Sequence, residues 1–377
     1  MLKPFRLGLV FGILAVSCVS QAREYTDLFA TPRMKSMGRA MTAIVDDYSS
    51  LYANPAGLAN MQSWQLRAPD LIQGGVSPSV LDLFKKIQGV DTGSSVSDLV
   101  SALSEFDGES ACANIDVAAL GYYSGRIAVA LNPMSSSACF RIRTPSALFA
   151  RIRTRVTVDS GLSLGYAHSF VQDQVRVGVA FRPFLLRGGI DKVLENTELL
   201  ALKDSGIQDL FGMGWGFDMD IGVQGNLKPM PFMGVQVKPM AGVVLQNLLA
   251  TSFSNKISSS ITGEVPPLER RINMGVGASI ESFGVFKPTV SLELRELMIA
   301  TDSFIERISM GIELALKPRT WFQTALRGHF YKGNFGGGLG LKFSVLELEF
   351  GTYAVNLGRG PGVGVDRMVY GQASLVW

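Results

Sequence analysis

Five arginines stand at alternate positions: Arg141 and Arg143 in "FRIRT", then Arg151, Arg153 and Arg155 in "RIRTR". Alternation places each run on one face of an extended strand. Guanidinium groups in a row can fork onto carboxylate or phosphate oxygens. The ladder is therefore a candidate head-group site. The other reading is a lumen network paired with acids such as Asp218, Asp220, Glu293, Glu313, Glu347 and Glu349. Little else in the chain suggests chemistry. His168 and His329 are the only histidines, and neither has a partner at metal-ligand spacing. A hydrolase would need a serine beside an oriented histidine, and nothing singles one out. "GNFGGGLG" opens no helix, so it is no nucleotide loop. We expect no enzyme, no cofactor and no metal. A formal charge of +3 on 377 residues gives no reason to expect nucleic acid.

The elements that would carry these residues are strands. In "RISMGIELALK", Ile308, Met310, Ile312, Leu314 and Leu316 alternate with Arg307, Ser309, Gly311, Glu313, Ala315 and Lys317. "INMGVGASI", "VRVGVAFR", "FGGGLGLKF" and "LELEF" repeat the pattern, with small or charged residues on the second face. That is period two, with one apolar and one polar face. The strands run near ten residues, the length a tilted strand needs to cross a bilayer. Short turns (171–174, 227–231, 317–320, 344–345) alternate with long loops (70–110, 186–211, 248–270, 357–367), as in outer-membrane barrels. The fold class expected is an all-β, antiparallel transmembrane barrel of 14 to 16 strands. Its count depends on whether 140–157 is one strand or a hairpin turning at Pro145-Ser146. Two loop stretches, 79–90 and 191–211, carry helical periodicity.

Charged residues make up only 18% of the chain, and no stretch after residue 22 is apolar for 18 residues, which tells against membrane helices. Lys3 and Arg6, the apolar run Leu7–Val16 and Ser20-Gln21-Ala22 read as an export signal over residues 1–22. A rival reading lipidates Cys18. An exported chain often pairs its cysteines. If 113–122 and 126–134 form a hairpin about Ser124-Gly125, Cys112 and Cys139 fall close to opposite one another, as a disulfide or as two buried thiols. The chain ends on Trp377 in "GQASLVW", a last strand suited to the barrel assembly machinery, with outer-membrane lipid around the wall.

A closed barrel needs no strand ahead of its first. Residues 23–61 must therefore hang free or fold inside, and they are too apolar for a free tail. "MGRAMTAIVDDYSSLYANPAGLA", Met37 to Ala59, resembles the N-terminal signature of FadL-like outer-membrane transport proteins. The resemblance rests on Gly38, the pair Asp46-Asp47, and Asn54-Pro55-Ala56 followed by Gly57-Leu58. It implies an N-terminal hatch over 23–61 inside a barrel over 62–377. It also implies passive uptake of long-chain fatty acids or similar hydrophobic compounds, which pass the hatch and leave sideways through the wall. Asn132-Pro133 lies where such proteins kink their third strand; the pair could equally begin a loop. The wider superfamily includes PorV-like barrels that bind secreted proteins, which is the alternative function. A continuous apolar path through the hatch would favour transport. A sealed lumen beneath a large exposed apolar loop patch would favour the partner role.

Overall fold

The computed structural model describes residues 28–80, 100–101, 103–146, 149–195, 210–232, 234–253, 255–256, 263–280, 285–299, 304–319, 321–356 and 365–377. Residues 1–22, on which the export-signal and Cys18 readings fall, lie outside them.

Fourteen strands follow in chain order. They are β1 (Gln65–Arg67, continued by Leu71–Val76), β2 (Ser110–Ala118, continued by Leu120–Tyr123), β3 (Ile127–Ser146), β4 (Phe149–Phe170), β5 (Val175–Glu195), β6 (Gly212–Asn226) and β7 (Val235–Gln246). The second half holds β8 (Arg271–Ile280), β9 (Phe286–Leu294), β10 (Ile308–Arg319), β11 (Phe322–Tyr331), β12 (Asn334–Phe343), β13 (Leu346–Asn356) and β14 (Val365–Leu375). Two fragments, Met230–Phe232 and Asn255–Lys256, extend the pairing at the rims. Each strand pairs antiparallel with the next. β14 returns to β1, with Val369 opposite Val76 and Ala373 opposite Ile72, so the ring closes on fourteen. No edge is left to template aggregation.

Alternation decides the two faces. On β10, Met310, Ile312 and Leu314 are exposed outward, while Ser309 and Glu313 are buried inside. An apolar exterior around a polar interior is the arrangement of an outer-membrane barrel.

Several expectations change here. Residues 140–157 are a hairpin, since β3 ends at Ser146 and β4 begins at Phe149. β3, β4 and β5 have 20, 22 and 21 residues, not ten. At 3.3 Å per residue, twenty residues span about 66 Å, well beyond the ~25 Å apolar band. The upper part of this hairpin therefore stands outside the membrane, and its outer face is covered by protein. Phe106, Ala111 and Ile142 form a small core there, with Val80, Leu103 and Ile152 against it. The expected loop 70–110 begins with strand Leu71–Val76, whose paired glycines weaken the apolar signal. The expected loop 186–211 is strand as far as Glu195, so its helical reading fails over 191–195; 196–209 lie outside the described residues, as do 81–90. Neighbouring residues on a strand point opposite ways, as the adjacent tyrosines of β2 show. Tyr122 is exposed outward and Tyr123 is fully buried inside.

Candidate functional site

Segment 28–61 is buried along nearly its whole length, and wall side chains reach it from all around the ring. It begins with helix α1 (Pro32–Ser36). Thr31 caps α1 by accepting from Met34 N, and Pro32 sits at the first helical position, where its missing N–H costs nothing. The chain then reverses through Gly38 and Arg39, both with positive φ (60° and 64°). A second short helix, α2 (Ser50–Ala53), leads into a 3-10 turn over Pro55–Asn60.

Asn54 joins these two turns and is fully buried. Its Oδ1 accepts from Ala56 N (3.1 Å). Its Nδ2 donates to Thr42 O (2.8 Å) within the segment and to Val223 O (3.1 Å) on β6. One side chain thus ties the two halves of the segment together and both to the wall. Pro55 fixes φ and holds Asn54 extended, which aims that side chain.

The wall supplies the partners that the irregular backbone lacks. Gln224 on β6 donates to Ala43 O (2.9 Å) and Val45 O (3.1 Å). Gln246 on β7 donates to Tyr52 O (2.9 Å), and Glu293 on β9 accepts from Thr42 N (2.9 Å). Arg295 donates to Arg39 O (2.7 Å), Ser309 on β10 to Gly38 O, and Tyr370 on β14 to Pro32 O (3.1 Å). His329 is one of these partners, its Nδ1 2.9 Å from Ser36 O. Buried backbone groups need such bonds, and here side chains of six strands and the loop after β9 provide them.

Charge holds the segment more strongly. Arg33 Nε and Nη2 fork onto Glu313 of β10 at 2.9 and 2.8 Å. Its Nη1 donates to Asp46 (2.7 Å) and Asp47 (2.9 Å). Glu313 also accepts from Arg327 of β11 (2.6 Å), which reaches Glu349 of β13 (2.8 Å). A second link joins Lys35 to Asp116 of β2 (2.8 Å). Burial pushes the Tyr48 and Tyr52 hydroxyls up, which keeps both neutral.

The fit depends on glycine. Gly165, Gly178, Gly222, Gly242, Gly277, Gly311 and Gly338 lie on seven strands. A Cβ at any of them would come within 3.0 Å of the segment, against Leu51 and Leu58, Pro55, Asn54, Thr42, Ile44, Met37 and Ser36 respectively. The missing side chains let the segment approach the wall at backbone distance. Below it lies a charged cavity of about 420 Å³, lined in part by Arg33, Asp47, Arg67, Lys238, Glu313 and Lys342. It opens at the end carrying the chain entry to β1 and the short turns.

The remaining sequence candidates fall elsewhere. Asn132-Pro133 lies inside β3, not at a loop. Pairing with β4 slips between Asn132 and Ser135, so Pro133 and Met134 form a β-bulge, which suits a residue that cannot donate to the ladder. Asn132 accepts from the Tyr52 hydroxyl (3.1 Å), so the bulge touches the inner segment.

The arginine ladder sits on the upper inner face of the β3–β4 hairpin, Arg141 opposite Arg153 and Arg143 opposite Arg151. Its acidic partners are not those expected. Arg153 and Arg155 pair with Asp191, and Arg151 with Glu195. Register explains this: β5 lies beside β4, while Glu293, Glu313, Glu347 and Glu349 stand on distant strands and Asp218 and Asp220 on β6. Asp220 pairs with Arg182 and Glu347 with Arg67.

Cys112 and Cys139 are directly opposite on β2 and β3 and form a disulfide, with Cα atoms 4.2 Å apart. The close approach suits a non-hydrogen-bonded pair; Cys112 directs its N–H and carbonyl to Ser77 instead. Closing a loop of 27 residues stabilises by about 3–4 kcal/mol in the chain-entropy picture. The Cys112→Ala/Cys139→Ala protein is expected to lose about that much in urea unfolding from micelles, with the barrel's circular dichroism retained. An unchanged midpoint would show that the cross-link adds nothing.

Sequence reasoning missed Arg33, the wall amides Gln224 and Gln246, and the glycine belt. Its one usable signal was small residues recurring on the inner face, as in "GWGFDMDIGVQG".

No family model and no curated protein matches the chain. Among solved structures it is similar to the CymD monoaromatic hydrocarbon channel (11% identity, 94% of this chain and 98% of that one, TM-score 0.45). It is also similar to the Ralstonia pickettii toluene transporter TbuX (11%, 92% and 97%, TM-score 0.47) and to a Pseudomonas aeruginosa FadL homologue (9%, 92% and 98%, TM-score 0.34).

Proposed function

We propose that this barrel takes up hydrophobic small molecules passively, with segment 28–61 as the hatch they must pass. One observation carries the reading. A single buried apolar cluster runs from Phe253 and Leu268 in the loop after β7, through Phe29, Tyr52, Val45 and Leu58 of the hatch, to Met61 and Met240. The last two line the charged cavity below. The cluster is closed at rest, and a solute that displaced its side chains would meet apolar surface from the loop after β7 to the cavity.

Three hatch methionines, Met34, Met37 and Met41, belong to the same cluster. Unbranched thioether chains adapt to irregular gaps, so they can make way at small cost. The charged cavity is a poor exit for an apolar cargo, because its side chains would lose hydration against the solute. The bulge at Pro133–Met134, beside a small space bordered by Phe29, Tyr52 and Asn132, is the exit we favour.

Long-chain fatty acids and monoaromatic hydrocarbons are the cargo classes to test first. In liposomes carrying the purified protein, each should enter saturably. Asn54→Ala/Pro55→Ala should change the half-saturating concentration severalfold, since it removes the hatch's tie to Val223. Entry no faster than through empty liposomes would overturn the reading, and a search for secreted protein partners would replace it.

A further inference from the structure

The ladder on the β3–β4 hairpin lies away from the apolar path. Arg141, Arg143, Arg151 and Arg153 form a square across two strands, each directly opposite another arginine. Like charges placed so repel one another. Arg155 continues the row beside the disulfide, directly opposite Cys139.

The carboxylates in reach are few. Asp191 meets Arg153 and Arg155, and Glu195 meets Arg151. Asp107 acts on Arg141 from the loop before β2, while accepting from Thr144 N. Neither Arg141 nor Arg143 has an acidic partner within ion-pair distance among the described residues.

Arg141 sharpens the point. It is 6% exposed, and its Nε is buried with no hydrogen-bond partner. A buried, uncompensated guanidinium beside three others is costly unless something anionic joins it. Arg143 and Arg151 are exposed on the same face, so the square opens to solvent.

We propose that this arginine square is a phosphate-binding site on the extracellular side of the barrel. Three features select phosphate over carboxylate. The two guanidinium groups with no carboxylate at ion-pair distance among the described residues, Arg141 and Arg143, match the roughly −1.5 to −2 of a phosphate monoester at neutral pH. A phosphate monoester offers three terminal oxygens, enough to receive a fork from both Arg141 and Arg143 while Arg151 and Arg153 keep their carboxylates. The square also stands on the part of the hairpin that projects beyond the apolar band, where lipid head groups and soluble esters are found. The phosphate could come from either source, and the site binds both by the same chemistry. The inference is independent of the cargo: it holds whether or not the hatch passes hydrophobic solutes.

The test is titration of the purified full-length barrel in a zwitterionic detergent. The probes are diphosphoryl lipid A in mixed micelles, its dephosphorylated counterpart, glycerol 3-phosphate, and acetate as the carboxylate control. The variants are Arg143→Gln/Arg151→Gln, whose exposed side chains can be changed without touching the core, and Arg141→Met. Saturable binding of a phosphate-bearing probe is expected, weakened at least tenfold by each variant and more strongly salt-dependent than in the variants. Binding of lipid A alone assigns a lipid head group; binding of glycerol 3-phosphate assigns a soluble ester. The proposal is overturned if neither phosphate probe binds. It is equally overturned if dephosphorylated lipid A or acetate binds as well as the phosphate probes, or if Arg143→Gln/Arg151→Gln binds like the parent.

Discussion

Replacing Arg33 with methionine should unlatch the hatch. Arg33 touches wall and hatch carboxylates together, forking onto Glu313 and reaching Asp46 and Asp47 with its remaining nitrogen. Methionine keeps much of the side-chain volume and removes the charge. Three carboxylates then stand close together; Glu313 keeps the guanidinium of Arg327 and Asp46 keeps Lys287 at 3.8 Å, while Asp47 loses its ion pair. Breaking a buried pair costs about 3–5 kcal/mol. The Asp46 and Asp47 side chains are 34% and 23% exposed, so water compensates part of their loss. The buried fork to Glu313 dominates, and about 3 kcal/mol is the reasonable figure. That raises the undocked population of the hatch about a hundredfold. In planar bilayers the variant should open in bursts at voltages where the parent is quiet. Asp47→Asn added to Arg33→Met should restore part of the quiet behaviour, because it removes one stranded charge. A variant indistinguishable from the parent would mean that hydrogen bonds alone hold the segment.

The difference between what could be read from the chain and what could not follows from the range of each signal. The barrel was legible because period two is local: "RISMGIELALK" shows its two faces without reference to any partner. The inner segment was legible through its own chemistry, as Asn54-Pro55 and Gly38 announce turns wherever they occur. Pairings between distant strands were not. Glu313 was visible as an inward acid, but its partner Arg33 is 280 residues away in sequence. The arginine ladder was visible as a ladder, while Asp191 and Glu195 looked like parts of a loop because β5 runs beyond the expected strand length. The glycine belt was hidden for another reason. A glycine on a strand reads as a weak position, and only the segment packed against it reveals close approach.

The belt supplies the second large effect. Gly222→Ala and Gly178→Ala should each displace the hatch, whereas Gly225→Ala on the same strand as Gly222 should do nothing. A Cβ at Gly178 would run into the Pro55 carbonyl carbon and the Ala56 nitrogen, and one at Gly222 into the Asn54 carboxamide. Neither neighbour can yield. Pro55 is fixed by its ring, and Asn54 is held by three hydrogen bonds. Overpacking a close-packed site costs about 1–3 kcal/mol, and backbone contacts lie at the upper end. Gly225 lies three residues beyond Gly222, on the opposite face, and an added Cβ meets nothing nearer than 3.8 Å. All three substitutions carry the same intrinsic preference for a strand, so a difference between them reports docking and not folding. The measurement is cleavage of the hatch by a protease added to proteoliposomes, alongside conductance. Gly178→Ala and Gly222→Ala should expose the hatch and raise conductance, and Gly225→Ala should match the parent in both. Equal behaviour of all three would show that the belt tolerates side chains and that the hatch sits more loosely than its hydrogen bonds imply.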